Sequence, residues 1–235
     1  MELYQGIILG ILQGLTEFLP VSSSGHLVLG QAYFGMTESL LVFDISVHIG
    51  TLLAVLVVYR REINNILRSV VHFCLEFKGF SESKERIQKD EHLRMALAII
   101  AGSVPTAFIG LVLKRYEHVL FSSALLVGCA LIITGTLLWM SKRFYNTAAP
   151  DTPLTLKRAL FIGTSQGLAV IPGISRSGTT IAAGMFMGLS RQKAATFSFL
   201  LSIPAIVGAE LISIRDIIEN NLSIDPVTIW ATLVS

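Results

Sequence analysis

The sequence predicts an all-α, polytopic membrane protein with two inverted-topology repeats, each containing a re-entrant helical hairpin. Hydrophobic residues make up 52% of the 235 residues, charged residues make up 14%, and the mean hydropathy is +0.67. This balance is typical of integral membrane proteins and lies outside the range of soluble domains. The net charge of +2 is too small to indicate a nucleic-acid partner. Partners are therefore expected in or beside the bilayer.

An internal repeat divides the chain into two halves. Residues 6–26 align without a gap with residues 159–179, which lie 153 positions later. The identical pairs are Gly10/Gly163, Gln13/Gln166, Gly14/Gly167, Leu15/Leu168, Ser22/Ser175, Ser24/Ser177 and Gly25/Gly178. Each copy runs from an apolar segment through a proline into a small, hydroxyl-rich turn and then into a second apolar segment. We treat residues 1–235 as a single membrane domain, with repeat one at about 1–118 and repeat two at about 119–235.

The first apolar segment is too interrupted for a simple membrane crossing. Residues 3–19 contain Glu17 and are followed by Pro20 and a serine-rich turn. The next apolar piece, residues 27–34, is short, whereas a crossing helix needs about 20 apolar residues. We expect a helical hairpin that enters the membrane and returns to the side from which it came.

Three segments between the two copies are long enough to cross, at residues 40–59, 95–113 and 119–140. Residues 60–94 hold eight Lys/Arg and six acidic residues, and they are expected to form a surface amphipathic helix followed by a solvated loop. The positive-inside rule places this region in the cytoplasm and the first hairpin outside. An odd number of crossings places the second hairpin inside. Inverted repeats of this kind put a ligand site near the membrane midplane, where the two copies should face each other.

The same criteria of length and hydropathy apply to the end of the chain. Residues 159–189 form the second broken element, residues 194–212 cross outward, and residues 213–225 are expected to be a polar outer loop. The last ten residues begin like another span and are too short to complete one, so the C-terminal span is expected to be incomplete.

The second copy of the repeat has the donors of an anion site. Pro172 is expected to end one short helix, Gly173 to permit a tight turn, and Thr179 and Thr180 to open the next helix. Backbone N–H groups, hydroxyls and the guanidinium fork of Arg176 then point to one place, and phosphate oxygens match them. The hydroxyls belong to Ser175, Ser177, Thr179 and Thr180. The alternative is that Arg176 reaches the membrane interface and the serines only solvate a turn. The absence of a nearby acid in the sequence favours the anion site.

The first copy carries groups suited to phosphoryl transfer. Gln13 and Glu17 are four residues apart, share a helix face and can hold a hard divalent cation. His26 can act as a general acid/base or a nucleophile, and a serine of the turn can attack. Taken alone, Glu17 can equally be the proton-carrying carboxylate of a transporter, and His26 a helix cap.

Three further ionisable residues lie in apolar segments. Asp44 and His48 are four residues apart and can either pair in the bundle interior or flank the site, and we favour the structural role. Glu210 is close to the end of its span and is expected at the membrane interface.

These residues match a known pattern. The sequence resembles the bacterial undecaprenyl-diphosphate phosphatase family of the bacitracin-resistance type, which is unrelated to the PAP2 acid phosphatases. The motifs that carry the resemblance are Gln13-Gly-Leu-Thr-Glu17, the segment from Phe18 to His26 that contains Pro-Val-Ser-Ser-Ser-Gly-His, and Pro172-Gly-Ile-Ser-Arg-Ser-Gly-Thr-Thr180. The resemblance extends to the spacing and hydropathy of nearly the whole chain.

The resemblance implies roles for individual residues. It implies catalytic roles for Glu17, Ser23, His26 and Arg176, and diphosphate binding by Ser24, Ser175, Ser177 and Thr180. It also implies a divalent cation, magnesium or calcium, which Gln13 and Glu17 would hold. Because the first position of the acidic motif is Gln13, a two-carboxylate metal site does not follow.

The resemblance further implies the activity and the location. The expected reaction converts undecaprenyl (C55) diphosphate into undecaprenyl phosphate and inorganic phosphate, which recycles the lipid carrier of cell-wall synthesis. The expected location is the bacterial plasma membrane, with the active site facing the outer side, and a homodimer is possible. The alternative is an inverted-repeat transporter or flippase for a polyprenyl phosphate. The Ser/Arg/His cluster favours the enzyme, since a passive carrier has less need of it.

Overall fold

The computed structural model describes residues 2–36, 41–76, 80–116, 120, 123–144 and 152–219. Every regular element in these ranges is an α-helix, which confirms the predicted fold class. The helices are α1 (Leu3–Phe18), α2 (Ser23–Tyr33), α3 (Leu41–Val58), α4 (Arg60–Leu75), α5 (Phe80–Lys89), α6 (Glu91–Lys114), α7 (Ala124–Phe144), α8 (Leu156–Leu168), α9 (Arg176–Phe186) and α10 (Arg191–Glu219).

Several of these helices are long and apolar enough to cross a membrane. Helices α6, α7 and α10 each meet this condition, and α3 with α4 forms a fourth candidate span that bends by 73° at a short break. The protein is therefore a multi-pass membrane protein by the character of its helices. The predicted crossings at residues 95–113 and 119–140 correspond to α6 and α7, although α7 starts at Ala124.

The prediction of a solvated loop after the amphipathic helix α4 is wrong. Helix α5 occupies most of this region, and α6 begins directly after Asp90. The carboxylate of Asp90 caps α6 by accepting hydrogen bonds from the N–H groups of His92 (2.9 Å) and Leu93 (3.0 Å). Burial acts to raise the pKa of Asp90, but the N–H of Leu93, the hydroxyl of Ser69 and the N–H of His92 together lower this pKa below its ordinary value. Within α5, Lys89 donates to Glu85 at 2.6 Å, four residues earlier, and such pairs support a helix in a charge-rich stretch.

The prediction of a polar loop over residues 213–225 is also wrong for residues 213–219, which the structure describes. Helix α10 continues to Glu219, so residues 213–219 are helical. Arg215 donates to Glu219 at 2.7 Å, four residues later, and such pairs support a helix through a polar stretch. The remainder of the predicted loop and the incomplete span, residues 220–235, lie outside the described residues.

Each copy of the repeat forms two helices joined by a short turn. Helix α1 packs on α2, and α8 packs on α9. Equivalent serines cap the second helix of each pair: Ser22 accepts from the N–H of Gly25 at 3.3 Å, and Ser175 accepts from the N–H of Gly178 at 3.0 Å. The re-entrant course of these pairs and their opposite orientation remain predictions.

The start predicted for α9 is wrong, because the helix opens at Arg176 and not at Thr179 or Thr180. The capping serine, Ser175, immediately precedes Arg176 and therefore fixes the first turn there. The cap residues of the two copies also differ in backbone conformation. Ser22 has φ 68°, in the left-handed region that a serine rarely adopts, whereas Ser175 has φ −67°.

Helices α6 and α8 approach so closely that their backbones touch. A Cβ atom on Gly163 would lie 2.1 Å from the carbonyl oxygen of Gly102, so only glycine fits at this crossing. Small residues allow such close approach between membrane helices. This contact fixes the second helix pair against α6. The first pair packs instead on α3, through a core of Leu9, Leu27, Phe43 and Val47.

Candidate active site

The turns of the two helix pairs meet in the interior of the protein. A Cβ atom on Gly25 would lie 2.9 Å from the Cα of Gly173, and the hydroxyl of Ser177 donates to the carbonyl oxygen of Leu19 at 3.4 Å. The predicted contact between the two copies of the repeat is therefore confirmed.

The carboxylate of Glu17 stands at the centre of this contact. It accepts a hydrogen bond from Nη2 of Arg176, a second from the hydroxyl of Ser23, and a third from Nε2 of Gln13 at 3.0 Å. The side chain of Glu17 is only 8% exposed, so it needs these partners to remain charged. The acid that the sequence around Arg176 lacks is supplied by the other copy.

A polar cavity of about 310 Å³ opens beside this ion pair. Its volume is within the usual range of small-molecule sites, about 300–1,000 Å³. Six of the predicted site residues line it: Glu17, Ser23, Ser24, Ser175, Arg176 and Ser177. Residues of both groups, those expected for chemistry and those expected for phosphate binding, therefore share one cavity.

The other three predicted residues do not line this cavity. Gln13 lies behind Glu17 and contacts it. Nδ1 of His26 lies 2.8 Å from the carbonyl oxygen of Ser22, in the turn before α2. The hydroxyl of Thr180 donates to the carbonyl oxygen of Arg176 at 2.8 Å, within α9. The direct roles assigned to His26 and Thr180 remain predictions.

Several polar residues that the sequence did not assign to the site also line the cavity. Among them are Gln31, Asp44, His48 and Glu210. Nε2 of Gln31 donates to the carboxylate of Asp44 at 3.0 Å. Nδ1 of His48 lies 2.7 Å from the carbonyl oxygen of Asp44 and 4.0 Å from Oε1 of Glu210. Asp44 and His48 flank the site, Glu210 lines the same cavity, and the interfacial position of Glu210 stays a prediction. Their ionisable character inside apolar spans was the available signal.

Helix α7 anchors the turn that presents Arg176. The hydroxyl of Thr134 donates to the carbonyl oxygen of Gly173 at 2.8 Å and accepts from the N–H of Ser175 at 3.0 Å. Gly173 has φ +93°, which only glycine adopts without strain. The turn is thereby held so that the N-terminus of α9, with its partial positive charge, is directed at the cavity.

The residues present fit a divalent cation only in part. The described residues contain no group of three or more His, Cys, Asp or Glu placed to hold a metal. The amide oxygen Oε1 of Gln13 is buried without a hydrogen-bond partner, next to the carboxylate of Glu17. Magnesium is commonly held by one or two protein oxygens together with substrate phosphates. Gln13 and Glu17 therefore suit a cation that arrives with a phosphorylated ligand.

The fold and the cavity define a polytopic helical membrane protein with an arginine- and serine-lined polar site at the meeting point of two repeated turns. The sequence pattern of the family described as Bacitracin resistance protein BacA matches residues 6–235. The chain therefore belongs to this family.

Curated relatives show the same affiliation. The chain is 52% identical over 233 residues to the undecaprenyl-diphosphatase of Desulforapulum autotrophicum, a match that covers 99% of this chain and 84% of the relative. It is 52% identical over 234 residues to that of Desulfosudis oleivorans, covering 99% and 85%. It is 43% identical over 218 residues to that of Methanosphaera stadtmanae, covering 92% and 79%.

Proposed function

We propose that this protein hydrolyses undecaprenyl diphosphate to undecaprenyl phosphate and inorganic phosphate. The relatives described above are named undecaprenyl-diphosphatases. The observation that carries the proposal is the meeting of Arg176 and its neighbouring serines with the Glu17–Ser23 pair in one cavity. One side of the cavity can bind phosphate oxygens, and the other can activate an oxygen nucleophile.

The phosphate end of the substrate is assigned to the second copy. Arg176 gives one N–H to Glu17 and has four more N–H groups for phosphate oxygens. The hydroxyls of Ser175 and Ser177 are 3.4 Å apart and line the cavity beside it. Donors at these places stabilise the charge that spreads over the transferring phosphoryl group.

The attacking oxygen is assigned to Ser23. Its hydroxyl donates to the carboxylate of Glu17, which Arg176 and Gln13 orient, and this is the arrangement of an activated nucleophile and its base. Ser23 Oγ forms a bond to the terminal phosphorus while its proton passes to Glu17. The bond from that phosphorus to the bridging oxygen breaks, and undecaprenyl phosphate leaves. Glu17 passes this proton to the leaving undecaprenyl phosphate and is a base again. Glu17 then takes a proton from a water molecule whose oxygen bonds to the phosphorus of the phosphoserine. The bond from Ser23 Oγ to phosphorus breaks, Glu17 returns the proton to Oγ, and inorganic phosphate leaves.

A divalent cation held by Glu17, Oε1 of Gln13 and the diphosphate oxygens would supply charge neutralisation during this transfer. The protein itself contributes by positioning the carboxylate of Glu17. Gln13 and Ser23 each donate a hydrogen bond to Oε2 of Glu17 and so hold the carboxylate toward the cavity.

The location follows from the charge of the connecting segments. Lys and Arg concentrate in residues 60–94, which supports a cytoplasmic position for α4 and α5. The turn after α6 then faces the outer side of the bacterial plasma membrane, and so does the first helix pair. The active site is assigned to this outer face, where diphosphate carriers would be released by cell-wall synthesis.

Phosphate release from undecaprenyl diphosphate in detergent tests the proposal. We expect Arg176→Ala and Glu17→Ala to lose turnover by about 100-fold or more, as for removal of one transition-state donor. Arg215→Ala is the control, since Arg215 is 73% exposed and lies outside the cavity. Turnover near that of the unsubstituted protein in both cavity variants would refute the assignment. Detergent excludes transport, so phosphate release also separates the enzyme from a flippase.

A further inference from the structure

The polar cavity contains a histidine that the proposed reaction does not use. His48 belongs to α3 and lines the cavity together with Glu17, Ser23 and Arg176. Its side chain is 26% exposed, so a ligand or a water molecule in the cavity can reach it. His48 therefore has access to the place where the reaction is assigned.

The hydrogen-bond pattern assigns the ring hydrogen of His48 to Nδ1. Nδ1 lies 2.7 Å from the carbonyl oxygen of Asp44, and a carbonyl oxygen can only accept. The other neighbour of Nδ1 is Oε1 of Glu210, which is 4.0 Å away and too far for a hydrogen bond. When the hydrogen of a neutral imidazole is held on Nδ1, Nε2 is an acceptor.

The residues around His48 hold its ring in place. Nε2 of Gln31 on α2 donates to the carboxylate of Asp44 at 3.0 Å, which connects this part of α3 to the first helix pair. Glu210 on α10 borders the ring from a third helix. A group that positions a reactant has to be held by neighbours in this way.

Nε2 of His48 makes no hydrogen bond within the described part of the chain, where the ring bonds only through Nδ1. The ring is also close enough to the carboxylate of Glu17 to interact with its charge. A water molecule in a polar cavity needs at least two polar partners. An acceptor without a partner and a nearby carboxylate can supply both, one for each hydrogen of the water.

The second half of the proposed reaction requires a water held in a defined direction. Its oxygen must approach phosphorus from the side opposite to Ser23 Oγ, because attacking and leaving oxygens lie in line. Glu17 accepts a hydrogen bond from that same Oγ, so Glu17 alone leaves one hydrogen of the water without a partner. His48 makes no hydrogen bond to Ser23 and is a separate point of attachment.

We propose that Nε2 of His48 accepts a hydrogen bond from the water molecule that hydrolyses the phosphoserine formed at Ser23. This inference rests on the proposed function, because it assigns a positioning residue to the second half of that reaction. Glu17 takes one proton of the water while its oxygen bonds to phosphorus and the bond to Ser23 Oγ breaks. His48 keeps its hydrogen bond to the other hydrogen and exchanges no proton.

Two substitutions separate the roles of the two ring nitrogens. The amide of glutamine reaches about as far as Nε2 and keeps an acceptor there, whereas the amide of asparagine reaches about as far as Nδ1 and keeps a donor for Asp44. A purely structural role of His48 through Asp44 would survive in His48→Asn and be lost in His48→Gln. A role in holding water predicts the reverse. His92→Asn is the matched control, since His92 is exposed and lies outside the cavity.

The first readout compares the two products after rapid quenching. The first step releases undecaprenyl phosphate, and the second releases inorganic phosphate. His48→Asn should release one equivalent of undecaprenyl phosphate as fast as the unsubstituted protein and then release inorganic phosphate about 100-fold more slowly, the loss expected for a reactant misplaced by about 1 Å. Radioactive phosphate from the substrate should accumulate on the protein, and Ser23→Ala should abolish this labelling. His48→Gln and His92→Asn should release both products together. Equal slowing of both products in His48→Asn, or no slowing, would overturn the inference.

The second readout does not require the lipid. Reversal of the second step forms phosphoserine and water from inorganic phosphate, so repeated reversal exchanges heavy oxygen between labelled phosphate and water. His48→Asn should lower the exchange rate about 100-fold, and His48→Gln should retain most of it. This pattern in a protein that releases no phosphate from undecaprenyl diphosphate would refute the proposed function and keep the water site. Unchanged exchange in His48→Asn, or no exchange in an unsubstituted protein that hydrolyses the diphosphate, would refute the role of His48 and leave the proposed function standing.

Discussion

The guanidinium of Arg176 donates to the carboxylate of Glu17, a residue 159 positions away in the sequence. The pair joins the two copies of the repeat and supplies the cavity with both of its central charges. The exposed fractions of the two side chains are 20% for Arg176 and 8% for Glu17, so each charge depends on the other.

Glu17→Ala or Arg176→Ala alone should destabilise the protein by roughly 3–5 kcal/mol, because each leaves an unpaired charge in a buried place. The double variant should be destabilised by less than the sum of the two single variants. Reversible unfolding in mixed micelles measures these free energies of unfolding. Strict additivity in this double-mutant cycle would contradict a direct pairing of the two side chains.

Thr134→Val should weaken the turn that presents Arg176. The substitution keeps the shape but removes the hydroxyl that binds both Gly173 and Ser175. Two backbone groups then lose their partner, at about 1–3 kcal/mol for each buried group left unsatisfied. Thermal unfolding in detergent and phosphate release should both decline, while Thr134→Ser should retain both. A valine variant as active as the serine variant would show that the turn holds without Thr134.

Gly167→Ala should destabilise the protein, whereas the equivalent change in the first copy, Gly14→Ala, should not. A Cβ atom on Gly167 would lie 2.8 Å from Cβ of Ile109, and one on Gly14 would meet nothing within 4 Å. Overpacking of this kind costs about 1–3 kcal/mol. At Gly14, alanine should be neutral or stabilising, since it favours the helix by about 1 kcal/mol. Melting temperatures of the two variants compare them directly, and equal shifts would contradict the asymmetric packing.

Gln13 should set the cation dependence of the reaction. Its Oε1 is buried without a partner beside Glu17. Gln13→Glu adds a carboxylate and should lower the magnesium concentration that gives half-maximal phosphate release. Gln13→Ala should raise it, and a chelator should abolish turnover of all three proteins. The same half-maximal concentration in all three would exclude Gln13 as a ligand.

Much of the fold could be predicted because a bilayer restricts the choices. Interrupted apolar segments, crossings and the amphipathic helix α4 all follow from hydropathy and length. The extensions of helix into residues 80–89 and 213–219 could not be predicted in this way. There the helix is supported by pairs four residues apart, between Glu85 and Lys89 and between Arg215 and Glu219, which hydropathy does not report.

The repeat allowed the centre of the candidate site to be predicted, but not its far wall. The expectation that the two copies face each other places Glu17 of the first copy near Arg176 of the second. Asp44, His48 and Glu210 belong to α3 and α10, which carry no recognisable motif. Their place in the cavity depends on how those two helices rotate and pack, which single-helix patterns leave undetermined.

The contact between the two turns bears on how a lipid can travel. A carrier that opens to one side and then to the other must separate its halves. In this protein such a motion would separate Gly25 from Gly173. It would also break the ion pair between Glu17 and Arg176 and leave both charges unpaired in apolar surroundings. The contact therefore favours a lipid that enters and leaves the cavity from the surrounding bilayer, without separation of the two turns.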